Sequence, residues 1–100
     1  MIEGYEKAVN IKTDLTSGDV SIKDKKDSEI TSKYALIPRG IMIGKDTAAD
    51  DVETVRVLLI GGHGELTFYL KVNVVYPLRV TKVFKADSTT ADIFLLGDTL

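Results

Sequence analysis

The pattern of apolar and polar positions changes near residue 33. Before it, apolar residues are scattered: Ile2, Tyr5, Val9, Ile11, Leu15, Val20 and Ile22 stand among charged and polar neighbours. Two short alternating pieces, AVNIK (8–12) and DVSIK (19–23), are joined by TDLTSG. They predict either a hairpin or an arm that orders against a partner. The mixed-charge run KDKKDSE (23–29) reads as a solvated loop.

After residue 33 the period is two. YALIPRGIMIG (34–44) is strand-like but interrupted by Pro38 and Gly40. Proline has no amide hydrogen for a ladder, so this strand lies at a sheet edge or carries a bulge at its middle. KDTAADDVE (45–53) is an acidic loop. TVRVLLI (54–60) and ELTFYLKVNVV (65–75) then flank GGHG (61–64), the pattern of a hairpin. In its second arm Leu66, Phe68, Leu70 and Val72 face one way, and Thr67, Tyr69, Lys71 and Asn73 the other.

Two further runs, LRVTKVFKA (78–86) and ADIFLL (91–96), read as a strand pair with DSTT (87–90) as its turn. The last run is apolar on both faces, Ile93 and Leu95 on one, Phe94 and Leu96 on the other, so it needs cover on both. Helical period is absent apart from one turn near Tyr5 to Val9. The prediction is an all-β fold, a small antiparallel β-sandwich or barrel, jelly-roll-like, of five to seven short strands. Residues 34–100 form that domain and residues 1–33 its N-terminal arm or hairpin.

Composition narrows the class. One hundred residues suit one domain, and 44% hydrophobic with 28% charged residues is an ordinary globular balance. Without cysteine there is no disulfide framework, thiolate nucleophile or cysteine zinc site. A net charge of −2 argues against nucleic acid as a partner. No apolar run approaches the roughly 20 residues of a membrane span. The opening MIEGYEKAVN has acids where a signal peptide carries cations, so export is not expected.

Candidate chemistry is sparse. His63, the only histidine, falls in the GGHG turn with no nucleophile or orienting partner in any motif, and reads as an exposed hairpin tip. Asp46, Asp50, Asp51 and Glu53 could cage a hard cation, but the EF-hand spacing is missing, and a solvated loop is expected. The glycines of IGGHGE lack the following lysine and helix of a phosphate cradle. No catalytic residue, metal or cofactor is expected. Arg79, Lys82 and Lys85 make one strand basic, with Arg79 and Lys85 on the face of Thr81 and Val83 and Lys82 on the other. Set against the acidic loop, that strand suits contact between copies of the chain.

Three blocks carry a resemblance. IPRGIMIG (37–44), VRVLLIGGHGELTFYLKV (55–72) and YPLRVTKVFKADSTTADIFLL (76–96), in that order, resemble the head spike base protein family of tailed phages and gene transfer agents. Members of that family carry a pattern close to PRALYIG, a hairpin with a glycine-containing turn, LPLRVTRV, GTTA and a short apolar end strand. The acidic loop here is longer than is usual for the family, and the N-terminal third matches poorly. The resemblance implies a non-enzymatic virion structural protein of the head surface, present in the host cytoplasm during assembly. It implies a cyclic homo-oligomer, a pentamer being favoured, that docks on the major capsid protein and receives a spike or fibre protein. Tyr76 and Pro77 would set the approach of the penultimate strand, and Asp87 to Thr90 its tight turn. Phe94 and Leu96 would be shielded by the adjacent subunit, while Ile2, Tyr5, Val9 and Ile11 of the arm would grip the capsid or a neighbour. The alternatives are a capsid decoration or tail-adaptor protein of the same fold, or a stand-alone ligand-binding β-module.

Overall fold

A computed structural model describes residues 4–22, 34, 36–46, 51–61 and 64–99. It contains seven strands: β1 (Lys7–Asn10), β2 (Val20–Ser21), β3 (Leu36–Gly44), β4 (Val52–Leu59), β5 (Leu66–Lys71), β6 (Val80–Phe84) and β7 (Asp92–Thr99). A single helical turn, α1 (Lys12–Leu15), lies between β1 and β2. The strands form two antiparallel sheets, ordered β1-β7-β3 and β2-β6-β4-β5. This is the small antiparallel β-sandwich that the alternation predicts. Ile41, Ile43, Ile93 and Leu95 from one sheet meet Val55, Val57, Val80 and Val83 from the other, each at 0% exposure. Burying such side chains contributes roughly 1.5–3 kcal/mol apiece, which is what holds the two layers together.

The N-terminal segment is not an arm through residue 22. β1 pairs with β7 and β2 with β6, so the two pieces join different sheets and cannot form a hairpin. Between them α1 carries the chain across the end of the sandwich. Ile11, Leu15, Val20 and Ile22 drop into the core on the way, none more than 5% exposed. The helical turn begins where the Asn10 side-chain oxygen accepts the Lys12 amide hydrogen at 3.0 Å, and residues 7–10 are extended, as the alternation in AVNIK has it, where a helical turn was expected near Tyr5 to Val9.

The expected β6–β7 hairpin is also corrected, because those strands lie in opposite sheets. The DSTT segment serves as a crossover. Beyond Phe84 the chain turns through Asp87, whose φ is +64°. Ser88 Oγ then accepts the Arg56 amide hydrogen at 3.0 Å, and the Thr89 amide donates to the Thr54 carbonyl at 2.8 Å. These bonds continue the side of β4 that β6 has vacated. Thr89 Oγ1 accepts from the Ala91 amide at 3.1 Å, a local side-chain bond that redirects the chain into β7.

Two expectations hold in detail. β3 is an edge strand with a bulge at its middle: Pro38 pairs with Gly97 and Gly40 with Leu96, leaving Arg39 without a partner position. β4 and β5 form a hairpin in which Val57 faces Leu66 and Val52 faces Lys71. A second bulge was not expected. Lys82 lies opposite Leu58 and Val80 opposite Leu59, so Thr81 is the extra residue. The alternation therefore slips by one. Val80 and Val83 both point inward, and Val83 does not share an outer face with Arg79.

Candidate docking surface

The outer face of the three-stranded sheet is mostly covered from within the chain. Leu96, one of the residues expected to need a neighbour, is 0% exposed. It stands opposite Ala8 and Gly40, and the Tyr5 ring lies directly over Gly40 on that same face. Gly40 makes this possible, because a Cβ there would meet the Tyr5 ring at 2.8–3.1 Å. The extruded Arg39 guanidinium closes the stack, 5.1 Å from the Tyr5 ring centroid and ion-paired with Asp98 at 3.4 Å. It also donates to the Gly4 carbonyl. Leu96 and Ile11 are thus withdrawn from any interface by the chain's own packing. Phe94 is half-buried, leaning over Gly44, and Val9 and Tyr5 are half-buried as well. Ile2 lies outside the described residues.

Of the three basic residues, Lys82 has its side chain engaged within the chain. Lys82 is 3.9 Å from Asp19 and 4.9 Å from the centre of the Phe84 ring, which the Arg56 guanidinium also approaches at 5.3 Å. The exposed Lys85 donates its amide hydrogen to Asp19 at 2.9 Å, and Arg79 is exposed. Arg56 reaches Asp87 at 3.4 Å and is bonded to Glu65. In the acidic loop Lys45 lies 3.7 Å from both Asp51 and Glu53. The expected match of basic strand to acidic loop in another copy therefore competes with partners inside the same molecule. Among the described residues no three His, Asp or Glu side chains are grouped to hold a metal ion. His63 and Asp50 lie outside the described residues.

The Tyr34 phenol is perturbed. Partial burial, reinforced by the hydrogen bond its hydroxyl donates to the Asp14 carboxylate, holds the Tyr34 phenol protonated well above the usual tyrosine range. The backbone of the same residue fastens β1, since Lys7 Nζ donates to the Tyr34 carbonyl at 2.5 Å.

The exposed apolar surface lies elsewhere. All of the exposed large hydrophobic residues among those described, Val52, Ile60, Leu66, Tyr69 and Val74, belong to the β4–β5 hairpin and its flanks. Tyr69, at 73%, is the most exposed. On the inward side of β5, exposure falls from 44% at Leu66 to 4% at Leu70, so the strand runs out of the core at its start. Alternation alone places Leu66 in the core. What it cannot register is that β5 is the outermost strand of its sheet.

The far end of β5 is tied down. After it, Asn73 adopts φ +61° and Asn73 N donates to the Ile43 carbonyl at 2.7 Å. Its side chain accepts from the Lys45 amide at 3.2 Å and donates to the Lys45 carbonyl at 2.8 Å, as a strand neighbour would. Tyr76 exchanges both backbone bonds with Ile41 at 2.9 Å, and the Leu78 amide donates back to the Tyr76 carbonyl at 2.8 Å around Pro77. This tight three-residue turn aims the chain into β6. The segment 73–76 therefore pairs with part of the free side of β3, whereas β5 has no strand beyond it among the described residues.

No helix among the described residues is long and apolar enough to cross a membrane. Comparison with protein-family models, with curated proteins and with solved structures found no match in any of the three.

Proposed function

We propose that the chain is a non-enzymatic structural subunit of a virion, a base or adaptor that attaches a spike or fibre to the major capsid protein at the head surface as a cyclic homo-oligomer. The virion assignment rests on the resemblance of residues 37–96. The observation that carries self-assembly is the gathering of every exposed large hydrophobic residue described onto one hairpin at an open sheet edge. An edge of this kind is a template for pairing with another chain.

Two further features support the reading. The blocks that carry the resemblance meet in space: β3, with IPRGIMIG, pairs with β7, which holds most of ADIFLL, and Tyr76 of YPLRV bonds to Ile41 of β3. They form one packed unit with a fixed register. Phe94 and Met42, opposite one another and each half-buried, leave a smaller apolar surface on the outer face of the three-stranded sheet. That face is suited to the capsid, while the hairpin is suited to another copy.

Imaging the intact particle with this chain located in it tests the proposal. A ring of copies on the head beneath a spike or fibre is the expected result. Absence of the chain from the particle, or a place in the tail, would overturn the head-base assignment.

A further inference from the structure

The exposed edge of β5 has a register in which it fits a second copy of itself. The Val72 amide donates to Asp51, beside β4, and the Lys71 amide points the other way to the Tyr76 hydroxyl. Backbone groups alternate along a strand, so the N–H groups of Leu66, Phe68 and Leu70 face β4 and those of Thr67 and Tyr69 face outward. An antiparallel two-fold contact must set outward-facing residues against outward-facing residues. Three alignments use both Thr67 and Tyr69; the one centred on Thr67 sets Tyr69 against Glu65 of the second copy and pairs no acid with a base.

Centring on Tyr69 places Lys71 opposite Thr67 of the second copy and requires the Lys71 amide, which the Tyr76 hydroxyl already occupies at 3.0 Å. Centring on Phe68 forms its backbone bonds between the free groups of Thr67 and Tyr69, while the Lys71 amide, opposite Glu65 at each end, stays with the Tyr76 hydroxyl. It sets Thr67 against Tyr69 of the second copy, Leu66 against Leu70, and Phe68 against itself. The half-exposed Leu66 then meets an apolar side chain where it now meets water. On the outer face Glu65, which also pairs with Arg56 of its own chain, falls opposite Lys71 of the second copy, an acid against a base at both ends of the contact. Opposite charges directly across an antiparallel pair are favourable and like charges are not.

We propose that two copies join through β5, antiparallel and centred on Phe68, so that their four-stranded sheets become one continuous sheet. This rests on the reading that the hairpin is the self-assembly surface and names its occupant and register. A two-fold contact closes at two copies, so a larger ring requires a second, head-to-tail face in addition.

The test uses two charge reversals, Glu65→Lys and Lys71→Glu, both at exposed positions. Each variant alone sets like charges across both ends of the contact, and an equimolar mixture restores opposite charges at both. Dissociation constants come from sedimentation equilibrium, with circular dichroism of each variant as the folding control. The expected result is a wild-type dimer, each variant weakened by on the order of tenfold, and a mixture that pairs as well as wild type. Recovery on mixing cannot come from misfolded chains. Wild-type association that is insensitive to both reversals, or two weakened variants that do not recover on mixing, overturns the register while leaving self-assembly through the hairpin standing. A wild-type chain that stays monomeric overturns both.

Discussion

The hydroxyl oxygen of Tyr76 accepts the Lys71 amide hydrogen at 3.0 Å, while the backbone of the same tyrosine exchanges two bonds with Ile41. One residue thereby caps the end of the β5 edge and fastens it to the opposite sheet. Tyr76→Phe keeps the ring and the backbone bonds and removes only the cap. The expected loss is about 1 kcal/mol in urea unfolding, the net value of one such bond. Hydrogen exchange at the Lys71 amide should accelerate relative to that of Val72, which still donates to Asp51.

Gly97 is required for the bulged side of β3. A Cβ on it would overlap the Ile37 carbonyl oxygen and crowd Pro38 Cα at 3.1 Å, and these are backbone atoms of a paired strand that cannot rotate away. Gly97→Ala should destabilise by at least about 2 kcal/mol, as overpacking does. Gly61→Ala at the hairpin turn meets open space and only the strain of φ +69°, so its loss should be smaller. Thermal melts of the two variants side by side check the order.

Asn73 combines a left-handed backbone, φ +61°, with a side chain that pairs with both backbone groups of Lys45. Alanine loses the two bonds and keeps the strain, whereas glycine loses the bonds and relieves it. Asn73→Ala should therefore be the more destabilised of the two by roughly 1 kcal/mol, measured by urea titration.

Tyr34 makes the fold sensitive to alkali. Unfolded tyrosine ionises near pH 10, whereas burial and the bond to Asp14 keep the folded phenol protonated beyond that. The native state thus holds its proton more tightly than the unfolded chain. The resulting stability is complete below about pH 10 and is lost as pH rises towards the folded value. The melting temperature of wild type should fall more steeply above pH 10 than that of Tyr34→Phe.

Much of the sandwich was legible because alternation and turn chemistry act locally. Pro38 announced the bulged edge of β3, and the GGHG turn announced the β4–β5 hairpin. Two kinds of information were not local. Which sheet a strand joins depends on partners far along the chain, so β1 and β2, and likewise β6 and β7, were read as neighbours when each pair is split between layers. The bulge at Thr81 was passed over: strict alternation puts Val80 with Lys82 and Val83 with Thr81, and only an extra residue lets both valines face the core, so the faces of Lys82 and Val83 were misassigned. The exposure of the apolar positions was misread for a related reason. The apolar outer side of β7 was legible, but Tyr5, far away in the sequence, lies over Gly40 opposite the buried Leu96, while β5 owes its exposure to standing last in its sheet.

The most direct measurement is the solution mass of wild type and Tyr69→Pro over a range of concentrations. The Tyr69 amide faces away from β4, so proline there removes an edge donor without breaking the ladder that folds the subunit. Wild-type mass should rise with concentration while Tyr69→Pro, with an unchanged circular dichroism spectrum, stays monomeric. A wild type that is monomeric throughout, or a folded proline variant that associates equally well, would contradict assembly through the β5 edge.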